Sequence, residues 1–303
     1  GEGQTAAVTA TVTGISQDPV PITVAAAGAA SNGSDAPVPS ATDPRIAGFR
    51  NRMYAIVRNV ATPPRTSRPT VLPRAEIRGP LVTIRNIRNF RYETTERYAP
   101  AYYDKTFDLR ELDSAWFFVE PFGKGGAAHT FVSFGFRDRD FVAVSVEIRK
   151  EKGESFSPLK GLLRRYEVMY VIGDERDLVK LRTNYRNDRV HLYRIRTTPE
   201  RMRAMFLAMV RRANALHEQP EFYNTLTNTC TTNLVRHVNE ITPKRIPLRA
   251  SVLLPASSDE LAYELGLIDT TLPFEEAQRR ALINPSARRY ADDPDFSRRI
   301  RGF

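Results

Sequence analysis

Between residues 79 and 196 the apolar positions fall mostly in short runs with alternating or fully hydrophobic character, the mark of pleated strands. In "GPLVTIRNIRNFRY" (79–92) Leu81, Val82 and Ile84 stand among polar neighbours, and "SAWFFVEPF" (114–122) is an aromatic-rich run. "HTFVSFGF" (129–136) and "FVAVSVEIR" (141–149), joined through "RDRD" (137–140), predict a hairpin. Further strands are expected at "YEVMYVI" (166–172) and "VHLYRIR" (190–196). The period then becomes helical. "TTPERMRAMFLAMVRRANALHEQP" (197–220) has a Thr198 cap, Pro199 in the first turn, and Met202, Met205, Phe206, Met209, Ala213 and Leu216 on one face. A second helix is expected to start at Asn228 or Thr229 and to bury Leu234, Val235 and Val238; others are expected at 257–267, behind a Ser cap, and at 275–283. Strands followed by helices give an α+β fold, an antiparallel sheet with packed helices.

Residues 1–44 are mostly Ala, Gly, Ser, Thr, Pro and Val, and "ATPPRTSRPTVLPR" (61–74) is rich in Pro and Arg. Such a chain offers little apolar surface against its ordering entropy, so 1–74 reads as a low-complexity, mostly flexible linker. Residues 75–303 read as a single α+β domain with a C-terminal helical extension. The longest apolar run, "VPITVAAAGAA" (20–30), is about half the ~20 residues of a membrane helix, and no signal peptide is visible in this sequence.

The net charge is +10, almost all from arginine. A basic excess fits an anionic membrane surface, but the arginines alternate with acids, as in "RDRD" and "DERD" (174–177), and no base-reading motif accompanies them. Nucleic acid is therefore not the expected partner. The single cysteine excludes an intrachain disulfide and a cysteine-built zinc site, and nothing in the sequence calls for a metal or other cofactor.

That cysteine lies in "FYNTLTNTCTTNLVRHV" (222–238), at the expected start of a helix. Free N–H groups and the positive end of the dipole favour thiolate there, which makes Cys230 a candidate nucleophile; a small buried hydrophobe is the plainer reading. A thiol nucleophile needs a base, ordinarily histidine. His237 is seven residues on, about 10 Å along the same helix, and cannot reach it. His217 reads as a dipole partner at a helix C-terminus, and His191 as a surface imidazole at a strand start. His129 remains, at a strand end behind the small-residue loop "GKGGAA" (123–128). The neighbouring strand carries Ser145, Glu147 and Arg149 on one face. A two- or four-residue turn sets His129 opposite Ile148, whereas a three-residue bulged turn brings Glu147 or Arg149 alongside; Glu147 is the choice for the orienting group, with Ser145 an alternative. Asn228 is a candidate oxyanion donor or cap. Trp116, Phe117, Phe118 and Tyr223 are candidate walls of an apolar groove.

The segments "IRNIRNFRYETTERY", "AHTFVSFGF", "VSVEIRKEKGESFSPLKGLLRRYE", "LYRIRTTPERMR" and "FYNTLTNTCTTNL" resemble, in this order, the Lnb N-terminal periplasmic domain family of the bacterial envelope, over about residues 80 to 240. The resemblance implies a papain-like, NlpC/P60-type fold in circularly permuted order, with His129, Glu147 and Cys230 as the catalytic set and no cofactor. It implies the periplasm or cell envelope of a Gram-negative bacterium, and a lipoprotein or lipid acyl donor as partner. The characterised branch moves a fatty acyl group through the cysteine to a lipoprotein amino terminus. The leading expectation is acyl transfer through a Cys230 thioester. The alternatives are a cysteine amidase or peptidase on cell-wall or protein amides, and a non-catalytic envelope binding module.

Overall fold

The computed structural model describes residues 71–122, 127–149, 167–223, 228–242, 245–246 and 255–302. The linker expected over 1–74 lies, up to residue 70, outside the described residues, as do positions 123–126 of the small-residue loop.

Ten strands lie among the described residues: β1 (Arg74–Arg78), β2 (Leu81–Arg88), β3 (Arg91–Tyr92), β4 (Tyr98–Ala99), β5 (Tyr102–Asp108), β6 (Leu112–Phe122), β7 (Ala127–Phe136), β8 (Asp140–Arg149), β9 (Glu167–Gly173) and β10 (His191–Arg194). The helices are α1 (Glu175–Lys180), running on into a π-helical turn (Leu181–Tyr185), α2 (Pro199–Glu218), α3 (Cys230–Ile241), α4 (Ser258–Glu264), α5 (Phe274–Ala281), α6 (Asn284–Arg289) and α7 (Phe296–Arg299). The fold is α+β.

Eight strands form one sheet in the order β1-β2-β9-β8-β7-β6-β10, with β5 also on β2. All its ladders are antiparallel except a single parallel pairing of β2 with β9 at Arg88 and Gly173. β7 and β8 are buried on both faces from Ala128 to Phe136 and from Phe141 to Ile148. Such strands are covered on both sides, which is why their sequences are continuously hydrophobic instead of alternating.

One face carries a core with α2, whose Met202, Met205, Phe206, Met209, Val210, Ala213 and Leu216 are buried at helical spacing. Thr198 caps that helix by accepting from the Arg201 N–H, and Pro199 follows. Phe206, fully buried, meets Phe134 edge-on at 5.0 Å between ring centres. Burial of one such ring stabilises the fold by about 1.5–3 kcal/mol. The opposite face carries a second core in which Trp116, Phe118, Phe131 and Met169 meet Leu178 and Val179, together with Ile283, Ala287, Phe296 and Ile300. α1, β5, α6 and α7 are elements that the sequence pattern did not announce.

The β7–β8 hairpin turns through three residues, Arg137, Asp138 and Arg139, because Phe136 pairs with Asp140. Arg137 and Asp138 both take positive φ, 52° and 50°. Of the open alternatives for this turn, the odd one is realised. It sets Phe131 opposite Ser145 and, continued by two residues, His129 opposite Glu147.

Candidate active site

Alternation along β7 gives His129 the same face as Phe131, on which its ring stacks at 5.8 Å. Its cross-strand partner on β6 is Glu120. Nε2 of His129 lies 2.7 Å from the Ser145 hydroxyl and 3.2 Å from Glu147 Oε1, and Ser145 Oγ donates to the same Oε1 at 2.8 Å. His129, Ser145 and Glu147 are all buried. With Nε2 engaged by these oxygens, Nδ1 is the ring nitrogen left for the thiol.

Cys230 opens α3, which packs on the other core, and the thiol is half-buried. The last recorded β7–β8 pair is Phe131 with Ser145. Just past it, Thr130 Oγ1 meets Thr231 Oγ1 at 3.3 Å, which brings the thiol near enough to His129 and to the Thr130 backbone N–H to be influenced by both. Thr231 Oγ1 is a further neighbour at 3.8 Å.

The electrostatics follow from this packing. Burial disfavours the thiolate, but the His129 hydrogen bond and charge, with Thr130 and Thr231, outweigh it and bring Cys230 below its ordinary value. Burial likewise opposes the imidazolium, yet the Glu147 charge and the Cys230 contact raise His129 to about 10. Glu147 is held far below the usual carboxylate range, since the charges of His129 and Arg182 overcome its burial. The arrangement therefore favours passage of the thiol proton from Cys230 to His129.

The other residues named from the sequence fall in different places. Tyr223 packs against the same core as Cys230, and burial together with the Cys230 charge raises its phenol. Asn228 is not the cap. Its amide nitrogen donates to the Phe222 carbonyl at 2.9 Å and its oxygen accepts from Asn233 at 2.7 Å, so it ties the preceding loop to the helix. Thr229 is the cap, in a reciprocal box with Thr232. Two-residue alternation sends Trp116 and Phe118 into the second core, where Phe118 stacks on Phe131, whereas Phe117 faces the first.

The remaining histidines are also fixed. His191 is buried on β10 instead of exposed, and its pKa is lowered by that burial. His237 is buried and hydrogen-bonds the Tyr170 hydroxyl at 2.7 Å. His217 is exposed in the last turn of α2.

Sequence reasoning missed two contributors, Glu120 and Arg182. Arg182 donates to Glu120 Oε2 at 2.7 Å and to Glu147 Oε1 at 3.0 Å. A signal for its helix was present in Asp174, which caps α1 by accepting from the Arg176 N–H ahead of apolar Leu178 and Val179.

An apolar cleft of about 120 Å³ has Thr231, the residue after the thiol, in its lining. Phe117 and Val132 from the sheet, Met202 and Met205 from α2, and Leu234 and Val238 from α3 line it. Among the described residues no cluster of His, Cys, Asp and Glu is disposed to hold a metal ion, and no helix is long and apolar enough to cross a membrane.

No curated protein and no solved structure matches this chain. The family model described as the Lnb N-terminal periplasmic domain matches residues 98–258, more than half of the chain, and that span contains Glu120, His129, Ser145, Glu147, Arg182 and Cys230. The chain belongs to the Lnb N-terminal periplasmic domain family, a family of periplasmic domains.

Proposed function

We propose that this domain is a thiol-dependent acyltransferase of the bacterial envelope that carries an acyl group as a thioester on Cys230. The observation that carries the reading is the Cys230 thiol at the first residue of α3 near His129, itself held by Glu147. His129 takes the thiol proton through Nδ1, and the thiolate adds to the carbonyl of an acyl ester. The ester oxygen leaves with the proton from His129, and the acyl group remains on sulfur. An amine then attacks the thioester, its proton passes to His129, and the sulfur is released as the leaving group. The backbone N–H groups at the start of α3 are suited to the negative oxygen formed in each step. Glu147 fixes the ring with its Nε2–H inward and stabilises the imidazolium.

The apolar cleft with Thr231 in its lining supports a fatty acyl group over a polar one. A lipoprotein amino terminus is the acceptor we infer, with a lipid as donor and the membrane surface as the place where they meet. We also infer that the arrangement is a circularly permuted papain-like one, as the order His129, Glu147, Cys230 in the chain suggests.

The test is the rate of iodoacetamide alkylation of Cys230 against pH, in the wild type and in His129→Ala. A wild-type midpoint well below 8 that rises in the variant is expected, followed by a hydroxylamine-labile acyl adduct on Cys230 when diacylated lipoprotein or phospholipid is supplied. A thiol of ordinary reactivity in both proteins sinks the reading.

A further inference from the structure

Arg182 touches neither the thiol nor the imidazole, and its side chain is 1% exposed. It hangs from the π-helical turn after α1, in which Leu181, Arg182 and Thr183 are all buried. π-Turns of this kind insert one residue into a helix and are frequent at functional sites. Each guanidinium nitrogen is committed. Nε donates to Glu120 Oε2 at 2.7 Å, one terminal nitrogen to the Leu178 carbonyl at 2.7 Å, and the other to Glu147 Oε1 at 3.0 Å. The guanidinium carbon lies 4.9 Å over the Phe131 ring, the same ring on which His129 stacks.

Glu147 depends on this contact. Its Oε1 receives Ser145, His129 and Arg182, and its Oε2 is buried without a partner among the described residues. Without Arg182 the buried carboxylate keeps His129 as its close cation, and a proton that moves from the imidazolium to Glu147 then neutralises both. A neutral Glu147 has no charge with which to hold an imidazolium. Of the other ionic groups around Arg182, Arg88 pairs with Asp177, Asp188 lies beside Glu120, and Arg186 is near enough to feel both Glu120 and Glu147.

We propose that Arg182 is a positioning residue of the thiol site, which keeps the Glu147 carboxylate charged and aimed at His129 and thereby governs how readily Cys230 yields its proton. The inference rests on the reading of Cys230 as a nucleophile activated by His129. Glu120 on β6 holds the guanidinium from its other side, so the unit that supports the imidazole runs across three elements, β6, β8 and the π-turn.

The experiment is the pH profile of Cys230 alkylation by iodoacetamide in wild type, Arg182→Met, Arg182→Lys and His129→Ala, with thermal unfolding followed on each. In Arg182→Met the midpoint is expected to rise by about one unit toward that of His129→Ala, which is roughly tenfold slower reaction below the midpoint. Arg182→Lys, which keeps the charge but not the fork, is expected to recover part of the shift. If the methionine variant does not fold, the lysine variant carries the test through its partial shift. Arg182 variants that melt lower but alkylate with the wild-type profile, while His129→Ala is shifted, overturn the proposal and leave only a structural role. A wild-type profile that coincides with His129→Ala overturns the nucleophile reading instead.

Discussion

A proton passing from Cys230 to His129 leaves the proton count of the folded protein unchanged, and stability records it. With its pKa raised from 6.5 to about 10, His129 alone would contribute stability that is full below pH 6.5 and lost as the pH rises toward 10. The lowered Cys230 thiol has the opposite sign: its contribution is full above its ordinary value of 9.0 and is lost as the pH falls through the folded value. Where both shifts operate, the folded protein keeps one proton on the imidazole and the unfolded chain keeps one on the thiol, so the slopes cancel. Cys230→Ser removes the second shift and leaves that part of the first which Glu147 supplies. Relative to wild type, the serine variant is expected to lose stability between pH 7 and 9 by up to about 1.4 kcal/mol per pH unit. Urea unfolding of both proteins across that range checks this, and the comparison removes contributions from other titrating groups, such as Asp188 and His191. Parallel curves would mean that the thiol stays protonated in the folded state. Reasoning from residues found this pair because helix starts and strand ends are chemically distinctive places. It could not find Arg182, whose partners Glu120 and Glu147 are 62 and 35 positions away.

The elements differ in how openly the sequence announces them. α2 was legible because a Thr-Pro start and a methionine stripe at helical spacing are independent signals that agree. The π-turn was not, since three successive buried residues fit neither a helical nor a strand period. The alternating charges of "DERD" carry no sign of burial, but Asp177 within it is fully buried and accepts from Arg88, the Phe90 N–H and Tyr92. The hairpin length was hidden as well, because its left-handed positions are filled by Arg137 and Asp138 and no glycine marks the turn. At α3 the start was placed to within one residue, and the difference matters. Thr229, the true cap, accepts from the Thr232 N–H while Thr232 Oγ1 accepts from the Thr229 N–H, which fixes the turn that presents Cys230. Thr229→Ala is expected to cost about 1 kcal/mol in chemical unfolding. It should also raise the alkylation midpoint, because a frayed first turn no longer presents aligned N–H groups to the sulfur. A variant equal to wild type in both would assign the hold on this turn to Asn228 and Asn233.

At the scale of the molecule, a sheet covered on both faces erases the alternation from which facing is read, and this is why the sequence did not separate Trp116 and Phe118, in the second core, from Phe117, in the first. It also turns apparent surface charge into internal structure. Arg301 and Glu175 are both fully buried and form a fork, with the Arg301 guanidinium over the rings of Trp116 and Phe141. The C-terminal "DPDFSRRIR" thus belongs to the second core through Phe296, Ile300 and Arg301. Glu175 is the first residue of α1, and Arg182 hangs from the continuation of the same helix. Arg301→Met orphans the Glu175 carboxylate in the interior, where losing one partner of a buried pair costs about 3–5 kcal/mol. If α1 is the rigid link, the variant should also alkylate Cys230 more slowly at a temperature where it remains folded, although Arg301 lies in the other core. Unchanged alkylation in a destabilised protein would mean that sheet contacts alone hold Arg182 in place. The double variant Glu175→Met/Arg301→Met separates the two effects. With no charge left unpaired, replacement of the pair by apolar groups of similar size is close to neutral, so thermal unfolding should recover most of the loss and alkylation should return with it. Recovery of stability without recovery of reactivity would show that the thiol senses the Glu175 charge and not the position of the helix.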